Sequence, residues 1–348
     1  MEITLYPSNW LYNAGVIGLL RVLEQAGENV QSYLRDDGSV EVTLTQNADE
    51  IFKFWDQLSP KSKKEKPKYY GHKYAYYTNQ TKKAITTKIG NLLMSPQPSS
   101  QNTVEYTCTF CFKQEKTKKS AVETLTQAYS NLLLASQRTF PNAYWNNNSN
   151  EYVCSKCQFV LMCHHLALIE LPDNSEMFIN ASSFKVMWYL NMYAREKYQK
   201  EQIRETKKLL GISLIELATR LQVELEIWTS MNIEIVSKDK DSIDFFSLPY
   251  DIVLILTDRE VAGMLNQIGE FNILNMILDG NFKEILEIGE RIVKIVLKPK
   301  NERNKSELEF IKTNVKLEGN KNNLSKFSSS LLKLYALIED RTRKGVWV

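Results

Sequence analysis

The stretch CTFC (residues 108–111) has a counterpart in CSKC (residues 154–157), and 42 residues lie between the two. A spacing of two residues lets both thiolates of a pair face one ion at about 2.3 Å in a knuckle turn. Four thiolates form the closed tetrahedral shell in which proteins hold structural zinc. We therefore predict a zinc knuckle spanning residues 108–157, with Zn²⁺ as a structural cofactor. Its predicted ligands are Cys108, Cys111, Cys154 and Cys157.

Other roles for these cysteines remain open at this point. A redox Cys-x-x-Cys pair normally lies at the strand-to-helix junction of a βαβ unit, which the surrounding pattern does not suggest. Unligated buried thiols are a further alternative. Cys163, His164 and His165 follow the second pair closely. Packing in an apolar helix is the favoured interpretation for these three, and replacement of a zinc ligand by one of them is the alternative.

Catalytic chemistry finds little support in the motifs. A catalytic zinc keeps one coordination position open, whereas four cysteines leave none. The zinc deaminase pattern and H-E-x-x-H do not occur, and neither do G-x-S-x-G, a Walker A loop or G-x-G-x-x-G. We therefore expect a binding protein and not an enzyme. An enzyme with an unrecognised carboxylate site is the competing hypothesis from another class.

The length and composition are those of a globular protein. With 348 residues, of which 43% are apolar, the chain is long enough for two domains. Its 5 cysteines do not suggest a secreted disulfide scaffold. We expect no signal peptide, and no apolar run reaches the roughly 18 residues that a membrane span needs. The predicted location is the cytoplasm, without a membrane partner.

Positive charge is concentrated around the first cysteine pair. The net charge is only +3, yet residues 60–120 contain 13 lysines and 3 glutamates. Lysines neutralise phosphates, and tyrosines stack on unpaired bases, so this composition suits a nucleic acid. The alternative is a solvated loop whose tyrosines are partly buried in a strand. The predicted contacts are Lys73, Lys82 and Lys83 for phosphates and Tyr76 or Tyr77 for bases.

Hydrophobic periodicity predicts an α+β fold: a mixed N-terminal domain with the four-cysteine knuckle, followed by a mainly helical part. We place the boundary so that residues 1–250 form the nucleic-acid-binding domain and residues 251–348 the helical domain. Strands are predicted at 2–6, 39–44 and 232–239. Helices are predicted at 11–27, 47–58, 120–136, 157–171, 184–205, 207–231 and 324–344.

The stretch YPSNWLYNAGVIGLLRVLE (residues 6–24), followed far downstream by the two cysteine pairs, resembles one known family. It is similar to the large subunit of the type I-B CRISPR Cascade, of the kind that carries a zinc knuckle. The matching features fall within about the first 170 residues. Asn9 and Asn13 of this stretch are further candidates for contact with nucleic acid, since side-chain amides can read base edges.

The resemblance implies a subunit of an antiviral surveillance complex without catalytic activity. Such a subunit lies near the 5′ end of the CRISPR guide RNA, beside other Cascade subunits. It recognises a short protospacer-adjacent motif in double-stranded target DNA, helps to open the duplex and guides the displaced strand. It also recruits the helicase-nuclease. This division of labour leaves the remaining sequence to be read by base pairing. The runner-up hypothesis is a standalone zinc-ribbon regulator that binds nucleic acid.

Overall fold

The computed structural model describes residues 2–59, 82–93, 103–118, 152–171, 175–201, 206–221, 233–238, 243–316 and 318–345. The strands are β1 (Glu2–Leu5), β2 (Val40–Thr43), β3 (Thr103–Thr107), β4 (Gln114–Lys118), β5 (Ile169–Glu170), β6 (Glu176–Asn180), β7 (Glu234–Lys238) and β8 (Ile243–Ser247). The first helices are α1 (Trp10–Gln25), α2 (Ala48–Leu58), α3 (Lys82–Leu93), α4 (Ser155–Met162), α5 (His164–Ala167), α6 (Phe184–Glu201) and α7 (Thr206–Glu216), the last continued by a π-helical turn at Leu217–Leu221.

The remaining helices are α8 (Tyr250–Thr257), α9 (Arg259–Ile268), α10 (Phe271–Leu278), α11 (Phe282–Leu297), α12 (Lys305–Asn314), α13 (Glu318–Asn322) and α14 (Leu324–Gly345). Short 3-10 helices occur at Val30–Tyr33 and Lys300–Glu302. Strands β1 and β2 pair antiparallel, as do β3 and β4, and the other four form a sheet in the order β5-β6-β7-β8. The predicted α+β class, with a mainly helical C-terminal part, is confirmed.

The chain divides into two compact units. The first comprises Met1–Trp188 with Val236–Asp244, and the second comprises Tyr189–Ile235 with Phe245–Val348. This division differs from the predicted boundary after residue 250, because α7 packs against α8, α9 and α10 and so belongs with the helices that follow it. Periodicity reports which face of a helix is apolar, and it does not report which partner covers that face.

Helix α1 forms the centre of the first unit. Every residue from Trp10 to Leu20 is buried, so the helix is covered on all sides and not only on the face predicted from its leucines and valines. It contacts α2, α4, α5 and β6. Gly15 and Gly18 permit this packing, because a Cβ atom would lie 2.5 Å from the Val160 carbonyl oxygen at the first position and 1.9 Å from that of Cys163 at the second.

The second unit is held together by helix-on-helix packing. Helices α11 and α14 form the main contact, and the buried positions of α11 recur at the spacing of one helical face. These positions are Ile285, Ile288, Gly289, Ile292 and Ile295. Arg341 of α14 donates hydrogen bonds to Asp258 and Glu260 at the start of α9, at 2.7 and 2.9 Å. Among the described helices, none is both long and apolar enough to cross a bilayer.

Most predicted elements are present with shifted ends. The predicted helix at 157–171 is instead two shorter helices, α4 and α5, and the two-residue strand β5. The predicted helix at 120–136 lies outside the described residues. Helix α3 and the hairpin β3–β4 were not predicted, although α3 carries a readable signal: Ile85, Ile89 and Leu92 are buried at helical spacing.

Candidate metal centre

The first cysteine pair lies in the tight turn of the β3–β4 hairpin. The Cys108 amide donates to the Lys113 carbonyl at 3.0 Å, and the Phe112 amide donates to the Cys108 carbonyl at 2.9 Å. These bonds hold Phe112 in the left-handed region, with φ 56°. A side chain with a Cβ atom rarely adopts this conformation, because its Cβ crowds the following backbone. The turn therefore aims both thiols to one side at a conformational cost.

The second pair lies at the start of helix α4. Cys154 occupies the N-cap position and Cys157 the first helical turn, so the helical repeat brings both thiols to the same end. The Cys154 amide donates to the Cys108 sulfur at 3.4 Å, and the Thr109 amide donates to the Tyr152 carbonyl at 3.0 Å. Backbone hydrogen bonds thus align the strand-like approach to α4 with the hairpin turn.

The four sulfur atoms converge. All lie within 4.8 Å of one another, and the Sγ atoms of Cys111 and Cys154 are 3.7 Å apart. A tetrahedral ion with sulfur ligands at about 2.3 Å implies sulfur–sulfur distances of about 3.8 Å. The structure therefore brings together all four predicted ligands, although Cys108 and Cys154 are 46 positions apart in the sequence, in a geometry that fits a tetrahedral metal. The arrangement is consistent with a metal site.

Electrostatics also favour a cation at this position. Hydrogen bonds from the other thiols lower the pKa of Cys108, while hydrogen bonding to the Cys108 thiolate and burial raise the pKa of Cys157. One thiolate thus forms at the expense of the others, because several negative charges in one buried cluster oppose each other. A bound divalent cation would remove this conflict, since it stabilises every thiolate at once.

Tyr12 backs the cluster from helix α1. Its ring stacks on that of Phe110, with centroids 5.6 Å apart, and both rings are buried. The Tyr12 hydroxyl makes no hydrogen bond of regular geometry to a described residue. Burial raises the pKa of Tyr12, and negative charge at Cys157 and Cys111 raises it further. A metal-bound thiolate would be a hydrogen-bond acceptor for this orphaned donor.

The neighbouring Cys163, His164 and His165 pack in the core of the first unit. Among the described residues, the sulfur cluster contains the four paired cysteines and not these three. His164 Nδ1 donates to the Leu161 carbonyl at 2.8 Å, and His165 Nε2 lies 3.0 Å from the Ser59 hydroxyl. The favoured interpretation, that this segment packs as an apolar helix, agrees with their burial.

The residues predicted to contact nucleic acid are distributed unevenly over the described chain. Lys73, Tyr76 and Tyr77 lie outside it. Lys82 begins helix α3, and nothing is described of its side chain; Lys83 follows it and is exposed. Helix α3 packs against α4, so Lys83 is carried by an element that contacts the cysteine-bearing helix.

Asn9 and Asn13 have internal roles. Asn9 caps helix α1, since its side chain accepts from the Tyr12 amide at 3.1 Å. Asn13 is 1% exposed; it accepts from the Ser8 amide at 2.8 Å and donates to the Ser8 carbonyl and to Asn180 Oδ1, both at 2.9 Å. A base contact by Asn13 would require these bonds to break, so its contact with nucleic acid stays a prediction without geometric support.

Comparison with known proteins bears directly on this site. Residues 101–168 match a family model described as CRISPR-associated protein (Cas_CXXC_CXXC). The matched segment contains both cysteine pairs, the hairpin and helices α4 and α5. No curated protein and no solved structure matches the chain. The family match, made on the segment that carries the cysteine cluster, indicates a CRISPR-associated protein.

Proposed function

We propose that this chain is the DNA-binding large subunit of a CRISPR RNA-guided surveillance complex of the type I-B Cascade kind, and that it is not an enzyme. The observation that carries the proposal is the family match at residues 101–168, together with the convergence of the four cysteines inside that segment. In this role the subunit recognises the protospacer-adjacent motif, helps to open the duplex and recruits the helicase-nuclease.

The charge distribution supports a nucleic-acid partner. Lys113 and Lys116 of the hairpin and Lys83 of α3 are exposed in the described structure. Their ammonium groups suit phosphates, and contacts of this kind bind any sequence with a strong dependence on salt. The lysines are carried by elements that the cysteine cluster and helix α4 bring together, which supports a metal clasp behind a basic surface.

Zinc is the ion that we propose for the four cysteines. A shell of four thiolates is closed, so the ion would hold the hairpin against α4 and would not activate a water molecule. About one zinc ion per chain is the expected result of elemental analysis on protein purified without added metal. Iron or an absence of metal would contradict the assignment.

Assembly with a guide RNA tests the proposed role. We would express the chain together with the CRISPR-associated proteins encoded beside it and a guide RNA, and isolate the complex through a tag on another subunit. The chain should co-purify, and the complex should bind target duplex that carries the adjacent motif more tightly than duplex in which only that motif is changed. Omission of this chain should abolish the difference.

The runner-up, a standalone regulator, gives a different result in the same experiment. A regulator would bind nucleic acid alone and would be absent from the isolated complex. Equal binding of the complex with and without this chain, to both duplexes, would contradict the subunit role.

A further inference from the structure

A cleft lies directly beside the cysteine cluster, within the first unit. Its volume is about 530 Å³, in the range of roughly 300–1,000 Å³ that is typical of small-molecule sites. Strand β1 and the two residues after it form one side, and the hairpin turn and the first turn of α4 form the other. We call this feature the knuckle cleft. Its lining includes Tyr6, Pro7, Phe112, Lys113 and Lys156.

Two exposed aromatic rings line the knuckle cleft. Tyr6 is 62% exposed and Phe112 is 73% exposed. Among the described residues of the first unit, the other exposed large hydrophobic side chain is Val104 of the hairpin, which is 44% exposed. Exposed apolar side chains that are grouped around one concave surface mark a binding site more often than scattered ones do.

The turn that positions the first cysteine pair also fixes the backbone at Phe112. Its left-handed φ of 56° is the conformation that glycine adopts without penalty and that a β-carbon opposes. An aromatic residue at this position costs backbone energy and recovers little by burial, because its ring is mostly exposed. The cysteine turn accounts for the strained backbone, and it does not account for a mostly exposed aromatic ring at that position.

Charge indicates the kind of ligand. Lys113 and Lys156 line the cleft, and no ion pair of either lysine is found among the described residues; Glu2 also contributes to the lining. Aromatic rings beside ammonium groups are the combination that binds single strands, since a base stacks on the ring and its phosphate is neutralised nearby. A buried protein interface usually excludes lysine from its centre.

We infer that the knuckle cleft binds one unpaired nucleotide, with its base stacked on Phe112 or Tyr6 and its phosphate beside Lys113 and Lys156. The inference rests on the proposed nucleic-acid role and adds to it a site and a ligand class. Because every base has an apolar face, the site accepts any nucleotide and discriminates single strands from duplex. The displaced DNA strand of an opened target would provide such a nucleotide.

The left-handed backbone at Phe112 permits a test that separates binding from folding. Phe112→Gly should leave the thermal midpoint unchanged or raise it, since glycine suits this conformation. The same variant should weaken binding of a fluorescent thymidine oligonucleotide of about 12 nucleotides by about tenfold. Phe112→Trp keeps an aromatic ring at this position and should bind the oligonucleotide as tightly as the unaltered chain does. Phe245→Ala is the matched control, because Phe245 is 52% exposed and does not line the cleft.

The lysines are tested by their salt dependence. Lys113→Ala and Lys156→Ala should each lower the slope of log affinity against log salt concentration by about 0.7, the value for one phosphate contact on a single strand. Tyr6→Ala should weaken binding of the oligonucleotide without changing that slope. The full chain, loaded with zinc, is used throughout, and both single-stranded and duplex DNA of the same sequence are measured.

The outcomes distinguish failure of the proposed cleft from failure of the proposed nucleic-acid role. If neither the unaltered chain nor the isolated complex that contains it binds single-stranded or duplex DNA, the proposed nucleic-acid role and the cleft fail together. If it binds and Phe112→Gly, Tyr6→Ala and both lysine variants bind equally well, only the cleft fails. If Phe112→Gly binds the oligonucleotide normally but no longer co-purifies with the other CRISPR-associated proteins, the cleft is a protein interface and the nucleotide assignment is overturned.

Discussion

The two segments that supply the cysteines are stabilised by different interactions. The hairpin β3–β4 is mostly exposed along its described strands, and the side chains of its turn that reach the core are Cys108 and Phe110. Helix α4, by contrast, is buried from Phe159 to Met162, and its backbone contacts the glycines of α1. The hairpin therefore depends mainly on the cysteine cluster for its position, supported by the Thr109–Tyr152 backbone hydrogen bond and the Phe110–Tyr12 ring contact, whereas α4 is held mainly by packing.

This contrast teaches where a metal contributes most. A segment with little buried apolar surface recovers little of the entropy that folding costs, so a covalent or coordinate anchor decides whether it is ordered. A segment packed at backbone distance is ordered without the metal and presents two ligands in advance. Four changes to the protein test this asymmetry, and metal removal should have the largest effect.

Metal removal should separate the two segments. Chelation, or the Cys154→Ser change, should raise the exchange rate of the hairpin amides by about a hundredfold or more, because ligation energy is folding energy and is on the order of 10 kcal/mol in small zinc domains. The amides of α1 should retain most of their protection. Hydrogen exchange followed by mass spectrometry measures both segments in one sample.

Cys163→Ala is the control for this experiment, since it removes a buried cysteine outside the cluster and should leave the metal content unchanged. Equal loss of protection in α1 and the hairpin would show that the metal holds the whole first unit, and the asymmetry would be refuted.

Gly18→Ala should destabilise the packing of helix α1 against the backbone at Cys163. An added Cβ would lie 1.9 Å from the Cys163 carbonyl oxygen, and a backbone atom cannot move aside cheaply. We expect the free energy of unfolding to fall by about 3 kcal/mol. Gly263→Ala in α9 is the matched control, because nothing lies within 4 Å of its Cβ position; it should gain about 1 kcal/mol from helix propensity. Equal effects in urea unfolding would disprove the close approach.

Low pH should lower the stability of the first unit, because His164 is buried in its core. Burial lowers the pKa of His164 to about 4, whereas an unfolded histidine has a pKa of about 6.5. The unfolded chain therefore binds a proton first as the pH falls, so stability is complete above pH ~6.5 and is lost toward pH ~4. The loss should reach about 2 kcal/mol at pH ~5.

His164→Gln cannot take up this proton, and its stability should depend less steeply on pH in that window. Both proteins are measured in the same excess of zinc, so that the acid sensitivity of the metal cancels in the difference. Parallel pH profiles of unfolding would mean that His164 does not titrate in this way.

Tyr12→Phe should have the smallest effect. It should change the affinity for the metal more than the stability of the fold. The hydroxyl lies buried beside the thiols, where a metal-bound thiolate would accept its hydrogen bond. Loss of this hydrogen bond to a coordinating thiolate should lower the affinity for zinc about tenfold in a chelator competition. A variant that binds zinc normally and is more stable than the parent would show that the hydroxyl is only an unpaired buried group.

The sequence predicted the convergence of the four cysteines better than it predicted their surroundings. Cys-x-x-Cys spacing has one simple geometric consequence, so the four cysteines were identifiable without a structure. The hairpin around the first pair was missed, because its strands are short and its alternation is weak: Val104 is exposed and Tyr106 is half-buried. Likewise, Asn13 carries a polar amide, a feature shared by base readers and by buried loop anchors, and only its neighbours distinguish the two.

The amino-acid sequence by itself determined the α+β class, the four thiols and the amphipathic helices of the C-terminal part, because these depend on local spacing and periodicity. Tertiary structure alone decided that α1 is covered on every side, that Gly18 meets a backbone carbonyl, and that Tyr6 and Phe112 line one cleft. Gly18 and Cys163, like Tyr6 and Phe112, are more than 100 positions apart in the sequence. Such contacts arise from the packing of the whole unit, which no local pattern records.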